Sequence, residues 1–323
     1  MKLALRITNL ALMLALAIAA GMANSQNFPN KPLRFVTGNA PGGGTDTITR
    51  MITPKLSERL GQTIIVDNKP GANGIIASEY VAKSEPDGYT LLVGTDGQMV
   101  LNVGLFKTLP YNPVADFAPI SKLTSTPVMI VAHPSVPARS IKELIELAKA
   151  KPGKLFYASG APVFQVATEM FKARTGINIV HVPFKGTAPA IRATLAGDVA
   201  IATVSVGPVL PQLRAGKLRG LAVTTSERVA LLPDTPTLAE SGLPGFVVAP
   251  WTGLFAPAAT PRSVVEKLSS EVNAALQHDE VKKLLGSRGF KPGGTTPDEM
   301  AALLKSDLAK WPKAMKDANI RPQ

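Results

Sequence analysis

The stretch Gly38-Asn39-Ala40-Pro41-Gly42-Gly43-Gly44-Thr45-Asp46 follows a short apolar run at 33–37 and leads into a helical pattern carrying Ile48, Met51, Ile52 and Leu56. Glycines let a backbone approach a ligand closely, Thr45 can cap the helix, and the free N–H groups of a first helical turn attract negative charge. The chemistry on offer is the capture of an anion, with Asn39, Gly43, Gly44, Thr45 and Asp46 as candidate ligand-binding residues. A glycine turn without a ligand is the other reading. A nucleotide P-loop needs Lys and then Ser or Thr after its glycines, and a dinucleotide fingerprint spaces its glycines differently, so neither fits. Pro54 falls inside the helical pattern and is expected to kink or shorten the helix.

A second segment, Pro183-Phe184-Lys185-Gly186-Thr187-Ala188-Pro189, repeats the arrangement after the run at 179–182. Thr187 is a natural N-cap, Pro189 suits the first helical turn, and Lys185 can donate to a carboxylate or simply face water. Ser159 and Gly160 follow the run at 155–158, and Thr95 and Ser205, beyond the runs at 91–93 and 199–202, join the candidate set. Loops at the C-terminal ends of strands are where open parallel sheets bind their ligands.

Catalysis finds little support. His133, His181 and His278 are the only histidines and show neither metal-ligand spacing nor an adjacent acidic motif. No Gly-x-Ser-x-Gly elbow occurs. Asp46, Asp96 and Asp198 adjoin Gly or Thr in turn-like sequence, where a carboxylate usually accepts backbone N–H bonds. We therefore assign no catalytic residue, no metal ligand and no cofactor. The absence of cysteine excludes disulfides, thiolate metal sites and a lipid-modified N-terminal Cys.

These loops need elements to hold them. Apolar runs at 33–37, 64–66, 91–93, 128–132, 155–158, 179–182, 199–202 and 221–224 alternate with helical patterns. One pattern starts at the capping-box pair Ser140 and Glu143, and another spans 165–175 and ends at Gly176. The expectation is an α/β chain with parallel sheets flanked by helices on both faces. Near the C-terminus, Thr260-Pro261 and Thr296-Pro297 start two closing helices with no strand between them, lined by Val265, Leu268, Val272 and Leu276 and by Leu303, Leu304, Leu308 and Trp311. A chain of this length outgrows one core, so two domains are expected: residues 24–124 plus 226–323, and residues 125–225.

At the N-terminus, Lys2 and Arg6 precede an uncharged run from Ile7 to Ala20 and the small residues Gly21 and Ala23. That order reads as a secretory signal peptide over 1–23, cut after Ala23, and the run is too short for a membrane span. Loss of Lys2 and Arg6 lowers the formal charge of +12 by two, to +10. The basic residues are scattered and aromatics make up 5% of the chain, which argues against nucleic acid and for a long-range attraction of small anions.

Ordered matches run over the whole mature length: Gly42-Gly43-Gly44-Thr45-Asp46, Asn68 with Pro70-Gly71-Ala72, Pro86-Asp87-Gly88-Tyr89-Thr90-Leu91-Leu92, Leu109-Pro110-Tyr111-Asn112-Pro113 with Asp116-Phe117, Val182-Pro183-Phe184-Lys185-Gly186, Gly216-Lys217-Leu218-Arg219, Leu232-Pro233-Asp234 with Glu240, and Trp251-Thr252-Gly253-Leu254. With them the chain resembles the Bug family, also called TctC, the extracytoplasmic solute receptors of tripartite tricarboxylate transporters. The resemblance implies a type II periplasmic-binding fold, two α/β lobes joined by two crossovers around a ligand cleft that closes by a hinge. It places Gly43, Gly44, Thr45 and Asp46 in the first binding loop, Lys185, Gly186 and Thr187 in the second, and Ser159 at the start of another. Two departures stand out: Gly38-Asn39 where the family carries Pro and an aromatic residue, and a shortened loop after Ser159 with Pro162 present and Gln165 where His is common. The function implied is capture of a small mono- or dicarboxylate by a periplasmic monomer, without cofactor, and its delivery to the permease subunits of such a transporter. Presentation of the closed form to a sensor kinase is one alternative, and an exported enzyme acting on organic acids is another.

Overall fold

Strands β1 (Leu33–Thr37), β2 (Ile64–Asn68) and β3 (Thr90–Thr95) begin the first of two sheets, with helix α1 (Gly44–Leu60) and helix α2 (Ile75–Ala82) between them. The computed structural model describes residues 28–184, 186–317 and 320, so the signal-peptide reading over 1–23 and the candidate Lys185 lie outside the described residues. After β3 a π-helical turn (Gly97–Leu101) runs into the short α3 (Asn102–Leu105), and β4 (Phe117–Ser125) completes this part.

The chain then passes into the second sheet, with β5 (Val128–Ala132), α4 (Ile141–Ala150), β6 (Phe156–Ser159), α5 (Pro162–Thr175), β7 (Val180–Pro183), α6 (Thr187–Ala196), β8 (Ile201–Ser205), α7 (Val206–Arg214) and β9 (Arg219–Val223). It returns with β10 (Trp251–Pro257), α8 (Arg262–Gln277), α9 (Asp279–Ser287), β11 (Lys291–Pro292) and α10 (Pro297–Asp317). The strand orders are β11-β4-β10-β3-β1-β2 and β7-β6-β8-β5-β9.

Neither sheet is purely parallel as the alternating pattern suggested. β1 pairs in parallel with β2 and β3, and β6 with β7 and β8, but β10 runs antiparallel to β3 and β4, and β5 antiparallel to β8 and β9. The reason is the route of the chain. β5 and β10 each follow directly on a crossing between sheets with no helical return, and a strand that enters from the far side runs against its neighbours.

The two crossings lie side by side, tied by Thr126 N–H to the Pro250 carbonyl (2.7 Å), Thr224 N–H to the Val128 carbonyl (2.8 Å) and Val248 N–H to the Thr224 carbonyl (2.9 Å). Residues 226–248, which the expected boundary at 226 assigns to the first lobe, pack along β9: Val223 N–H donates to the Pro236 carbonyl (2.9 Å) and Leu238 N–H to the Val223 carbonyl (2.9 Å), and the chain rejoins the first sheet at Trp251.

Alternation along β1 explains its burial on both sides. Leu33 and Phe35 face Ile48, Ile52 and Leu56 of α1 and Leu268 and Val272 of α8, while Val36 faces Ala77 and Val81 of α2. In the second lobe Met129, Val131 and Val204 share one face with Val209 of α7, and Ile130, Tyr157 and Ile201 share the other with Phe171 of α5. Each large apolar side chain removed from water in this way contributes about 1.5–3 kcal/mol.

Several local expectations change. α1 runs without interruption through Pro54, because that residue lies on the exposed side of the helix, where the carbonyl it leaves unbonded can face water. α5 begins at Pro162, a favoured first-turn proline, ahead of Gln165. Three helices close the chain, because His278 turns extended (φ −66°, ψ 132°) and α9 restarts with Asp279 and Glu280 in its first turn. A two-residue strand, β11, also stands before α10.

α10 starts with a full reciprocal cap: Thr296 N–H donates to Glu299 (2.8 Å) and Glu299 N–H to Thr296 Oγ1 (3.2 Å). Thr296→Ala is therefore expected to lower unfolding free energy by about 1 kcal/mol in urea titrations, with no change in solute affinity.

At one point the lobes meet backbone to backbone. A Cβ on Gly207 at the start of α7 would fall 2.0 Å from the Arg288 carbonyl oxygen, and one on Gly289 would fall 2.8 Å from the Gly207 nitrogen.

Candidate functional site

Both glycine loops end in helices whose caps are glycines. Gly43 caps α1 and Gly186 caps α6, neither helix start is closed by a side chain, and Thr45 and Thr187, expected as caps, lie inside the helices as the second and the first residue. The first-turn N–H groups are thus left to a ligand or to water.

The first loop is held by Asp46, whose buried carboxylate accepts Gly42 N–H (2.8 Å), Arg50 Nε–H (3.0 Å) and Asn68 Nδ2–H (2.9 Å). Asn68 also donates to the Asn39 carbonyl (3.0 Å), so one network fixes both ends of the loop. Burial alone would raise the Asp46 pKa, but the Arg50, Gly42 and Asn68 donors outweigh it and hold the carboxyl below its usual range. With its oxygens engaged in this way, Asp46 shapes the loop from behind.

In the second lobe a Cβ on Gly160 would lie 2.2 Å from the Gly186 carbonyl carbon and 2.5 Å from Thr187 N, so the end of β6 and the start of α6 touch through main chain. Phe184 N–H donates to the Ser159 carbonyl (3.0 Å). Ser159 Oγ lies 2.7 Å from His181 Nε2, and that ring stacks on Tyr157 at 4.9 Å. Tyr157 in turn donates to Glu169 (2.6 Å), which pairs with Lys172. Burial lowers the His181 pKa and favours the neutral imidazole; burial, with Glu169 beside it, raises that of Tyr157. Ser205 caps α7 by position, again without a side-chain bond, and its neighbour Val206 N–H donates to the Pro127 carbonyl at a crossing.

Between the lobes lies a cavity of about 330 Å³. Asn39, Gly44, Thr45 and Thr95 line it from the first lobe, and Ala161, Pro162 and Val163, at the uncapped start of α5, line it from the second. Of the other candidates, Gly43 and Asp46 stand behind this wall, Ser159 and Gly160 directly precede Ala161, Gly186 and Thr187 pack on Gly160, and Ser205 sits toward the crossings.

The sequence reading missed Asn73, Gln98 and Asn102, and it passed over Asp96 as a turn carboxylate; all four line the cavity. Gln98 holds the floor, accepting Thr95 N–H (3.1 Å) and donating to the Gly74 carbonyl (3.1 Å). The available signal was a polar cluster after a third strand, with left-handed Ala72 and Asn73 (φ 45° and 52°) marking the turn after β2. A wider surface hollow of about 520 Å³, lined by Phe106, Tyr111 and Asp116, takes in none of the candidates. Among the described residues no group of three or more His, Asp or Glu could hold a metal ion, and no helix is long and apolar enough to cross a membrane.

Two α/β lobes, paired crossings and a polar cleft fed by helix N-termini define a two-lobe solute-binding protein with the type II periplasmic-binding fold. Residues 48–320 match the family described as "Tripartite tricarboxylate transporter family receptor", TctC, and the chain belongs to that family. Protein BugT of Bordetella pertussis is 32% identical over 97% of this chain and 97% of its own length. Among solved structures, R. palustris Rpa4515 with adipate is 37% identical, covers 92% of this chain and 100% of its own, and superposes with a TM-score of 0.82. MatC (Rpa3494) from Rhodopseudomonas palustris with bound malate is 34% identical over 89% of this chain and 99% of its own, with a TM-score of 0.76. The family is one of receptors, and both of these neighbours hold carboxylates.

Proposed function

We propose that this chain is a periplasmic receptor that captures a small organic carboxylate by hinge closure and delivers it to the membrane subunits of a tripartite tricarboxylate transporter. The observation that carries the reading is the meeting of the uncapped starts of α1 and α5 across one cavity, with Gly44 and Thr45 on one side and Ala161 on the other. A carboxylate placed there accepts main-chain N–H bonds from the first lobe, and closure brings the second lobe's donors onto it, in part through water. In this reading Asn39, Gly43, Gly44, Thr45 and Thr95 form the first-lobe contact. Asp46 shapes its loop, and Ser159, Gly160, Lys185, Gly186, Thr187 and Ser205 belong to the closing side.

The paired crossings supply the hinge, since few main-chain bonds there need to change direction as the lobes turn. A solute that prefers the closed form shifts the population toward it, and the permease reads the closed surface. The family's character and the carboxylates held by its structural neighbours support the solute class.

The test is thermal unfolding of the purified chain with a panel of small acids. A fitting acid at about a thousand times its Kd is expected to add about 4 kcal/mol of stability, seen as a rise in melting temperature of several degrees. If no acid at about millimolar concentration moves the transition, the proposal fails.

A further inference from the structure

Among the described residues, the cleft wall consists of main chain, amides, hydroxyls and apolar side chains, with Asp96 the one ionisable residue lining it and no Lys, Arg or His. Asp96 is 6% exposed and accepts Gly97 N–H at Oδ1 (2.9 Å). No cation lies at ion-pair distance from it among the described residues.

It also borders a smaller cavity of about 170 Å³ beside the crossings, where the other charged groups are Asp307 and Lys310 of α10 and Lys122 of β4. Asp307 accepts the Trp251 indole N–H (2.7 Å), and Lys310 donates to the Val247 carbonyl (3.0 Å). Lys122 is itself pushed toward neutrality, first by burial and then by Lys291. Burial raises Asp96, Gly97 N–H opposes the shift and Asp307 adds to it, leaving its pKa at about 7. A buried carboxylate without a cation is costly, and a ligand that supplies the missing donor relieves that cost.

We propose that Asp96 sets the solute class: the cleft takes a carboxylate whose other end is a hydrogen-bond donor, best an ammonium and next a hydroxyl, and disfavours one bearing a second carboxylate. This rests on the carboxylate-receptor reading above. One end of the solute meets main-chain N–H groups, the other meets an acceptor, and a second negative charge at that end is repelled by the Asp96 carboxylate.

The test is calorimetric titration of the full chain with length-matched probes: hexanoate, adipate, 6-hydroxyhexanoate and 6-aminohexanoate, and their four-carbon counterparts. At about pH 8.5, where Asp96 is ionised, the amino acid of the fitting length is expected to bind at least about tenfold more tightly than the diacid. Lowering the pH to about 5.5 protonates Asp96, weakening the amino acid and strengthening the diacid. Asp96→Asn, nearly isosteric, is expected to invert the order at the higher pH, and the wild-type pH series stands even if that variant folds poorly. A tighter diacid at about pH 8.5, or an amino-acid preference that survives in Asp96→Asn, overturns the inference. Binding of the plain acid without any preference between ends overturns this inference alone, whereas binding by none of the acids ends the receptor reading as well.

Discussion

Gly160→Ala is expected to weaken solute binding by at least about a hundredfold and to cost about 1–3 kcal/mol of stability. The added methyl group would stand 2.2–2.5 Å from the Gly186 carbonyl carbon, its oxygen and Thr187 N, all main-chain atoms that no rotamer change can move. Relief requires the start of α6 to shift away from the end of β6. That shift displaces the second loop's N–H groups from the closing side and disturbs Ala161, the next residue, which lines the cavity. Titration calorimetry and urea unfolding of the same sample separate the two effects. Binding within threefold of wild type would mean that this main-chain contact does not position the site.

Asp46→Ala is expected to be the more costly change for the fold, at about 2–4 kcal/mol, with solute affinity falling by at least tenfold. The carboxylate is 2% exposed and joins Gly42, Arg50 and Asn68, so its removal leaves donors without an acceptor and frees the loop that presents Gly44 and Thr45. The pH dependence checks the cause. Because the folded-state pKa is depressed, the carboxylate's contribution is complete above its unfolded value and is lost as the pH falls through the folded one. Wild type should therefore lose stability on acidification more steeply than the variant in parallel urea titrations. Equal acid slopes would show that the network is not what stabilises the loop.

What was legible from sequence was whatever local chemistry determines. The apolar runs marked β1, β5 and most of the second lobe, Ser140 marked the start of α4, and Gly176 the end of α5. Ser140 accepts Glu143 N–H as a capping box requires, although Glu143 reaches back to Arg139 N–H. Strands β4 and β10 escaped notice. Pro119 and Lys122 interrupt the first, and Gly253 and Pro257 the second, and both are strands because they pair with each other across the whole of the second lobe in sequence. Antiparallel placement of β5 and β10 is a property of the route between lobes, which no window of sequence contains. The site shows the same division. Glycine before a helix announced the two loops, but whether Gly43 or Thr45 would be the cap depended on where the first bond closed, and Asn73, Gln98 and Asp96 became wall residues only when β2 and β3 came alongside β1.

The contact between Gly207 and the Arg288–Gly289 turn leaves no side chain to compress at that point. Two peptide backbones already in contact would have to separate before a side chain could enter there, so alanine at either glycine is expected to push the lobes apart at this point.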